Sequence, residues 1–336
     1  MRITTIESQF VSVERCVEYT RIHPEEIVDA PYLPSNWPSR GSIELKGVSM
    51  RYHLARPLVL RGLCLSVPSR AKVAICGRTG CGKSSLFQVL TGLYGYSYGT
   101  VQIDGIELCS VPLPILRKSV RCISQQSAAV SGTLRDHFGE TIPEPFIWRA
   151  LDKVGMSNAV RALPNKLDEV LNEDAFSAGE RQLIALAQGL LEGDNGMLPK
   201  IFLFDEATAS VDVVTDNLIH DVVLGLDATV LAIMHRLQHV QRFDKVVILD
   251  KGAVVEDGPP HQLMRDINSR LYTLCKKAGI EKQSNGGTLS PSVDRGSMSR
   301  SMRSNGSNAR SVMSKSGSKR SPRMKPRAPP SPPPGA

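Results

Sequence analysis

Gly77-Arg78-Thr79-Gly80-Cys81-Gly82-Lys83-Ser84 is the stretch that decides the fold. Its spacing fits the pattern G-x-x-x-x-G-K-[ST], in which the backbone N–H groups of a glycine-rich loop surround phosphate oxygens. Ala71 to Cys76, just before it, is a short apolar run, which predicts a buried strand feeding a helix that starts near Gly82. Gly77, Gly80 and Gly82 allow the backbone to approach a ligand closely, and the helix start adds about half a positive charge. Lys83 is then placed to reach the β- and γ-phosphates of a nucleotide, with the Ser84 hydroxyl on Mg²⁺. A glycine-rich turn that merely precedes Lys-Ser is the bland alternative. The strand before it and the acidic strand described next speak against that. Cys81 has two readings, a thiol activated by the helix start and Lys83, or a side chain that fills space.

Further on, Phe176-Ser177-Ala178-Gly179-Glu180-Arg181-Gln182 precedes Ile201-Phe202-Leu203-Phe204-Asp205-Glu206. The second is an apolar run ending in two acids, which are costly to place at the end of a buried strand unless they hold a cation or move a proton. Other short runs predict strands at Ile43 to Val48, Leu63 to Val67, Ala228 to Ile233 and Lys245 to Leu249, with a pair around the Asp104-Gly105 turn. Helical spacing recurs in Phe146, Ile147, Ala150, Leu151 and Val154, and in Leu183, Leu186, Ala187 and Leu190. One last helix is predicted over His261 to Lys277. Strands alternating with helices imply an α/β fold built on a mainly parallel sheet, with a small antiparallel piece near its start and a helical insertion in the middle.

Composition limits the partners. The net charge of +8 suggests a polyanion, but eleven Lys and Arg against two acids lie beyond residue 280, so the remainder is close to neutral. No nucleic-acid partner is expected. The seven cysteines are scattered without a C-x-x-C pair, which reads as reduced thiols. No run approaches the roughly 18 apolar residues of a membrane span. Residues 1–22 carry Ile3, Ile6, Phe10, Val13 and Val17 at helical spacing, residues 23–41 form a proline-marked linker, 42–280 form the folded domain, and 281–336 form a basic Ser/Arg/Pro-rich tail expected to be disordered. Serines among arginines, as at Arg300-Ser301-Met302-Arg303-Ser304, suit basophilic kinases, and the basic tail suits anionic lipid; a solvated tail with no specific partner is the plain alternative.

From Ile43 to about Gly279 the chain resembles a nucleotide-binding domain of ATP-binding-cassette transporters, and within them the second such domain of the multidrug-resistance-associated subfamily C, P-glycoprotein-A-like members included. The resemblance rests on Ser12-Val13-Glu14-Arg15, Trp37-Pro38, Gly41-Ser42-Ile43-Glu44, Pro57-Leu58-Val59-Leu60-Arg61-Gly62, the Ser177-x-Gly179 loop before the acidic strand, and Asp205 to Asp212. It implies a P-loop NTPase with a RecA-like sheet, an antiparallel β subdomain and a helical signature subdomain. Residues 1–22 resemble the cytosolic end of a transporter's last membrane helix.

The resemblance also implies roles. Tyr52 would stack on adenine, while Gly77, Arg78, Thr79, Gly80, Cys81, Gly82, Lys83, Ser84 and Ser85 would hold the phosphates of ATP. Ser84, Gln125 and Asp205 would hold Mg²⁺, Gln126 being the neighbouring candidate for Gln125. Glu206 would be the general base, and His235 would contact the γ-phosphate. Ser177, Gly179 and Glu180 would cap the ATP of an opposing nucleotide-binding domain, with Asp212 in the loop joining the two sites. Two such domains closing head to tail, attached to membrane-spanning domains at the cytosolic face of a membrane, would power export; an isolated copy would bind ATP and turn it over weakly. Glu180 stands where this family usually has Gln, and a carboxylate about 8 Å from a phosphate charge costs about 2 kcal/mol at an effective dielectric near 20. The approach Leu171 to Phe176 is about two residues shorter than the family's. A soluble or regulatory cassette ATPase without transport is the alternative expectation.

Overall fold

A computed structural model describes residues 2–21, 25, 33–124, 132–139, 141–170, 176–191, 198–205 and 212–280; the side chains of residues 2–9 and of Ser124 are not among them. The expected tail, the Leu171 to Ala175 approach, Gln125, Gln126 and Glu206 lie outside the described residues. The described residues form one compact unit.

The chain opens with helix α1 (Arg2–Thr20), whose Phe10, Val13 and Val17 are exposed. Strands β1 (Ile43–Met50) and β2 (Leu60–Val67) follow, then β3 (Lys72–Gly77) and helix α2 (Lys83–Leu90). Next come β4 (Tyr98–Ile103), β5 (Ile106–Glu107), α3 (Leu113–Ser119) and β6 (Val120–Ser124). A helical stretch holds α4 (Leu134–Phe138), α5 (Glu144–Lys153), α6 (Ser157–Ala162) and α7 (Ala178–Gly189). The chain then returns through β7 (Ile201–Asp205), α8 (Val213–Leu224), β8 (Thr229–Ile233), β9 (Lys245–Asp250), β10 (Ala253–Gly258), α9 (Pro260–Leu263) and α10 (Arg270–Lys277).

Two sheets result. One is antiparallel, in the order β2-β1-β4-β5; the other runs β10-β9-β3-β8-β7-β6 and is parallel except for the β9–β10 hairpin. The larger sheet is covered on both faces, which is why its strands read as continuous apolar runs rather than as alternation. Its residues still divide by parity. Val73, Ile75, Leu203, Leu231, Ile233 and Val247 pack with α2 and the antiparallel sheet. Ala74, Phe202, Phe204, Val230, Ala232 and Val246 pack with residues of α5, α7, α8 and α10 such as Ile147, Leu186, Ile219 and Leu271. Each fully buried large side chain contributes about 1.5–3 kcal/mol, so these two layers dominate stability.

The hairpin expected at Asp104-Gly105 is present, with Ile103 opposite Ile106. Asp104 adds a second function there: its carboxylate accepts hydrogen bonds from the backbone N–H groups of Arg40 (2.8 Å), Gly41 (3.0 Å) and Ser42 (2.8 Å). Burial opposes its ionisation, but these bonds outweigh burial and hold the carboxyl below its ordinary range.

The single helix predicted over His261 to Lys277 is two helices. Asp266 accepts a bond from the Asn268 N–H (2.9 Å), and Ser269 caps α10 by accepting from the Tyr272 N–H (3.3 Å). Polar side chains that bond the local backbone end one helix and start the next. Among the described residues, no helix is long and apolar enough to cross a membrane.

Candidate nucleotide-binding site

The loop between β3 and α2 is shaped by close packing. Gly77 has φ +154°, and a Cβ there would lie 2.4 Å from the Leu249 carbonyl oxygen; at Gly82 (φ +106°) it would lie 2.9 Å from Leu60 Cδ2. Gly80 has φ +79° with open space around it, so it is required for its backbone angle rather than for room. Cys81 is buried in the core beneath the loop, which fits the space-filling reading. Lys83 is only 5% exposed, and its Nζ donates to the carbonyl oxygens of Gly77 (2.9 Å) and Arg78 (3.2 Å). A buried ammonium held by two neutral carbonyls is a group prepared for an anion. Gly82, at the N-cap of α2, supplies no side-chain cap, which leaves the first N–H groups of that helix for the same ligand.

Tyr52 lies beside this loop. Its hydroxyl bonds Ser85 Oγ (2.7 Å) and Gln88 Oε1 (2.7 Å), and its ring meets Tyr94 edge-on at 4.9 Å. The ring is fixed on α2 yet 43% exposed, as a platform for a flat apolar group must be. Arg78, Thr79, Gly80 and Ser84 are exposed, whereas Ser85 is buried against Tyr52.

Strand register brings the acidic edge to the same end of the sheet. Asp205, the last residue of β7, sits opposite Ser124 of β6 and Ile233 of β8, and Ile233 sits opposite Ile75 of β3. Gln125 and Glu206 each follow directly on one of these strand ends, outside the described residues. The Met234 N–H donates to the Ile75 carbonyl (3.0 Å), which brings exposed His235 alongside the strand that feeds the loop.

Ser177, Gly179, Glu180 and Asp212 form a second group. Ser177 caps α7 in a reciprocal box: its Oγ accepts from the Glu180 N–H (3.2 Å), and Glu180 Oε2 accepts from the Ser177 N–H (2.8 Å). The Glu180 carboxylate is thus turned back onto the helix start, where a negative charge is favoured. Asp212 caps α8 by accepting from the Val214 N–H (2.9 Å), the Thr215 N–H (3.0 Å) and the Thr215 hydroxyl (2.7 Å), and these bonds hold its carboxyl below the usual range. Gly179 makes room between the two helix starts, because a Cβ there would meet Thr215 Oγ1 at 3.0 Å and Asp212 Oδ2 at 3.4 Å.

Sequence reasoning missed the turn at Gly252. Its N–H donates to the Cys81 carbonyl (3.0 Å) and its own carbonyl accepts from the Arg61 N–H (2.9 Å), so it braces the phosphate loop against β2. The Lys251-Gly252 pair between two apolar runs was the available signal.

A phosphate-cradling loop at the carboxyl edge of a parallel sheet, with an acid ending the strand next but one, defines a P-loop ATP-binding domain. Residues 60–209 match the ABC transporter family, so the chain carries an ABC transporter domain. It is 37% identical over 287 residues to ABC transporter C family member 6 of Arabidopsis thaliana, a match covering 83% of this chain and 19% of that protein. To ATP-binding cassette sub-family C member 2 of Homo sapiens it is 37% identical over 294 residues, 84% of this chain and 18% of the relative. Metal resistance protein YCF1 of Saccharomyces cerevisiae matches at 37% over 284 residues, 82% and 18%. The chain therefore spans about a fifth of the length of these relatives. A bacterial Atm1-family ABC exporter solved with ATP bound superposes with a TM-score of 0.69 at 26% identity, over 83% of this chain and 49% of that one. ATP binding and hydrolysis are the chemistry of this domain family.

Proposed function

We propose that this chain is the ATP-hydrolysing part of a subfamily C exporter, working at the cytosolic face of a membrane through membrane-spanning domains and a second nucleotide-binding domain. The observation that carries the reading is the Lys83 ammonium, buried and braced across the loop between β3 and α2.

ATP is held by the backbone N–H groups of residues 78 to 83 and by the unblocked start of α2, with adenine against the Tyr52 ring. Lys83 exchanges its two carbonyl partners for β- and γ-phosphate oxygens. The Ser84 hydroxyl, Gln125 and Asp205 are oxygen donors of the kind Mg²⁺ takes and would hold it. When bound, Mg²⁺ would supply positive charge against the phosphate oxygens. Glu206 accepts the proton of the attacking water as its oxygen bonds the γ-phosphorus and the bond to the β,γ-bridging oxygen opens. His235 contacts the departing γ-phosphate. Ser177 and Gly179 serve the opposing domain's ATP, with Asp212 in the connecting loop, so turnover requires pairing.

The test is ATP binding and phosphate release by the purified chain as a function of its concentration. ATP binding at all concentrations, with specific turnover that rises with concentration and is lost in Glu206→Gln, supports the reading. Absence of ATP binding, or turnover per chain that is constant in a strict monomer, overturns it.

A further inference from the structure

Away from the nucleotide site, Asp216, His220 and His239 form a cluster with no part in the chemistry above. All three are buried, and one ligand atom of each lies within 4.8 Å of the other two. Asp216 and His220 stand one turn apart on α8, and His239 comes from the 3-10 turn Leu237–Arg242. The two imidazoles stack at 4.0 Å between centroids with 26° between planes. His220 Nδ1 lies 2.9 Å from the Asp216 backbone carbonyl oxygen and 3.3 Å from Asp216 Oδ1, and His239 Nε2 lies 3.0 Å from Asp216 Oδ2. Asp216 is 1% exposed, and its Oδ1 makes no hydrogen bond. A buried carboxylate oxygen in that state is costly unless a cation takes it up.

We propose that Asp216, His220 and His239 are the ligands of a divalent transition-metal ion of the Zn²⁺ class. Bonds of about 2.0–2.1 Å from nitrogen and oxygen to a tetrahedral ion set neighbouring ligand atoms about 3.4 Å apart. One ligand atom from each of the three residues lies within 4.8 Å of the other two, so small rotations of the side chains bring them to that spacing. Imidazole donors select such an ion over the Mg²⁺ proposed for the nucleotide site. The Arg236 guanidinium, 3.8 Å from Asp216 Oδ2, is the competing cation. The ion ties α8 to the turn that begins two residues after His235. Any effect of that on turnover rests on the proposed role of His235, whereas the metal site does not.

The experiment uses the full chain, stripped with chelator and titrated with Co²⁺ as a spectroscopic stand-in for Zn²⁺. The expected result is one Co²⁺ per chain with the intense visible bands of a four-coordinate ion, displaced by Zn²⁺ and unaffected by Mg²⁺ with ATP. His220→Gln and His239→Gln should each weaken uptake at least ~100-fold with helix content unchanged. X-ray absorption of the native chain with Zn²⁺ gives an answer independent of variant folding: a nitrogen and oxygen shell with two imidazoles supports the site, and a sulfur shell overturns it. Failure to take up Co²⁺, or uptake unchanged in both folded variants, also overturns it.

Discussion

Gly252→Ala is the substitution whose cost the structure fixes most closely. Gly252 has φ +84°, and a Cβ there would sit 2.0 Å from the Val59 carbonyl oxygen and 3.1 Å from Leu60 Cα. The left-handed angle alone costs an alanine about 1–2 kcal/mol. Both contacting atoms are backbone, so no rotamer change relieves the overlap, and the turn must withdraw by about 1 Å. Withdrawal stretches the bonds to the Cys81 carbonyl and from the Arg61 N–H, each worth about 1 kcal/mol. The expected loss is therefore about 3–4 kcal/mol. Gly105→Ala is the matched control, because Gly105 has φ +78° with nothing near a Cβ, and it should lose only the 1–2 kcal/mol of the angle. Urea unfolding followed by circular dichroism measures both. A fluorescent ATP analogue should also bind Gly252→Ala more weakly than the control, since the Cys81 carbonyl belongs to the phosphate loop. Equal stability of the two variants to within about 0.5 kcal/mol would refute the reasoning.

Three further outcomes follow from the same geometry. Lys83→Ala should weaken ATP binding by roughly 10- to 100-fold, the worth of a charge-assisted bond of about 1.5–3 kcal/mol, and a change under about threefold in an equilibrium titration contradicts the buried-ammonium argument. Asp104→Asn should cost about 1–2 kcal/mol and flatten the acid limb of stability: because the folded carboxyl is held low, its stabilisation is full above the ordinary value of 3.8 and is lost as pH falls through the lower folded value. Urea midpoints at pH 7 and pH 3 check this. Ser177→Ala should cost about 1 kcal/mol as a lost cap, whereas Glu180→Gln, whose amide oxygen can still accept from the Ser177 N–H, should cost less than about 0.5 kcal/mol; thermal melts that reverse this order would remove the reciprocal box.

Much of this was legible before any coordinates. The β3 strand, the glycine loop and α2 follow one another so closely that local spacing determined them, and the apolar runs of β7, β8 and β9 could only be buried. What escaped was tertiary in origin. β10 follows three apolar residues with Glu256 and Asp257 at a sheet edge, and only its β9 partner explains why it pairs. The break between α9 and α10 depends on side-chain bonds that helical periodicity does not report. Glu180 looked like a charge aimed at a phosphate, yet the backbone N–H of Ser177, three residues earlier, claims it. Asp216 and His220 show a helical i, i+4 pair, but His239 joins them only through the fold. Asp205 and His235 come to one end of the sheet because parallel register aligns the strand ends, while Gln125 and Glu206 fall just past the described strands.

The division of the central sheet by parity makes the molecule intolerant of small threading errors. Sliding β3 by a single position along its neighbours would send Val73 and Ile75 into the helical layer and Ala74 and Cys76 toward the antiparallel sheet, mismatching both interiors together. The same slip would turn Gly77 away from Leu249 and carry the loop off its support. The position of the fuel-gripping loop is thus tied to the packing of both interiors at once.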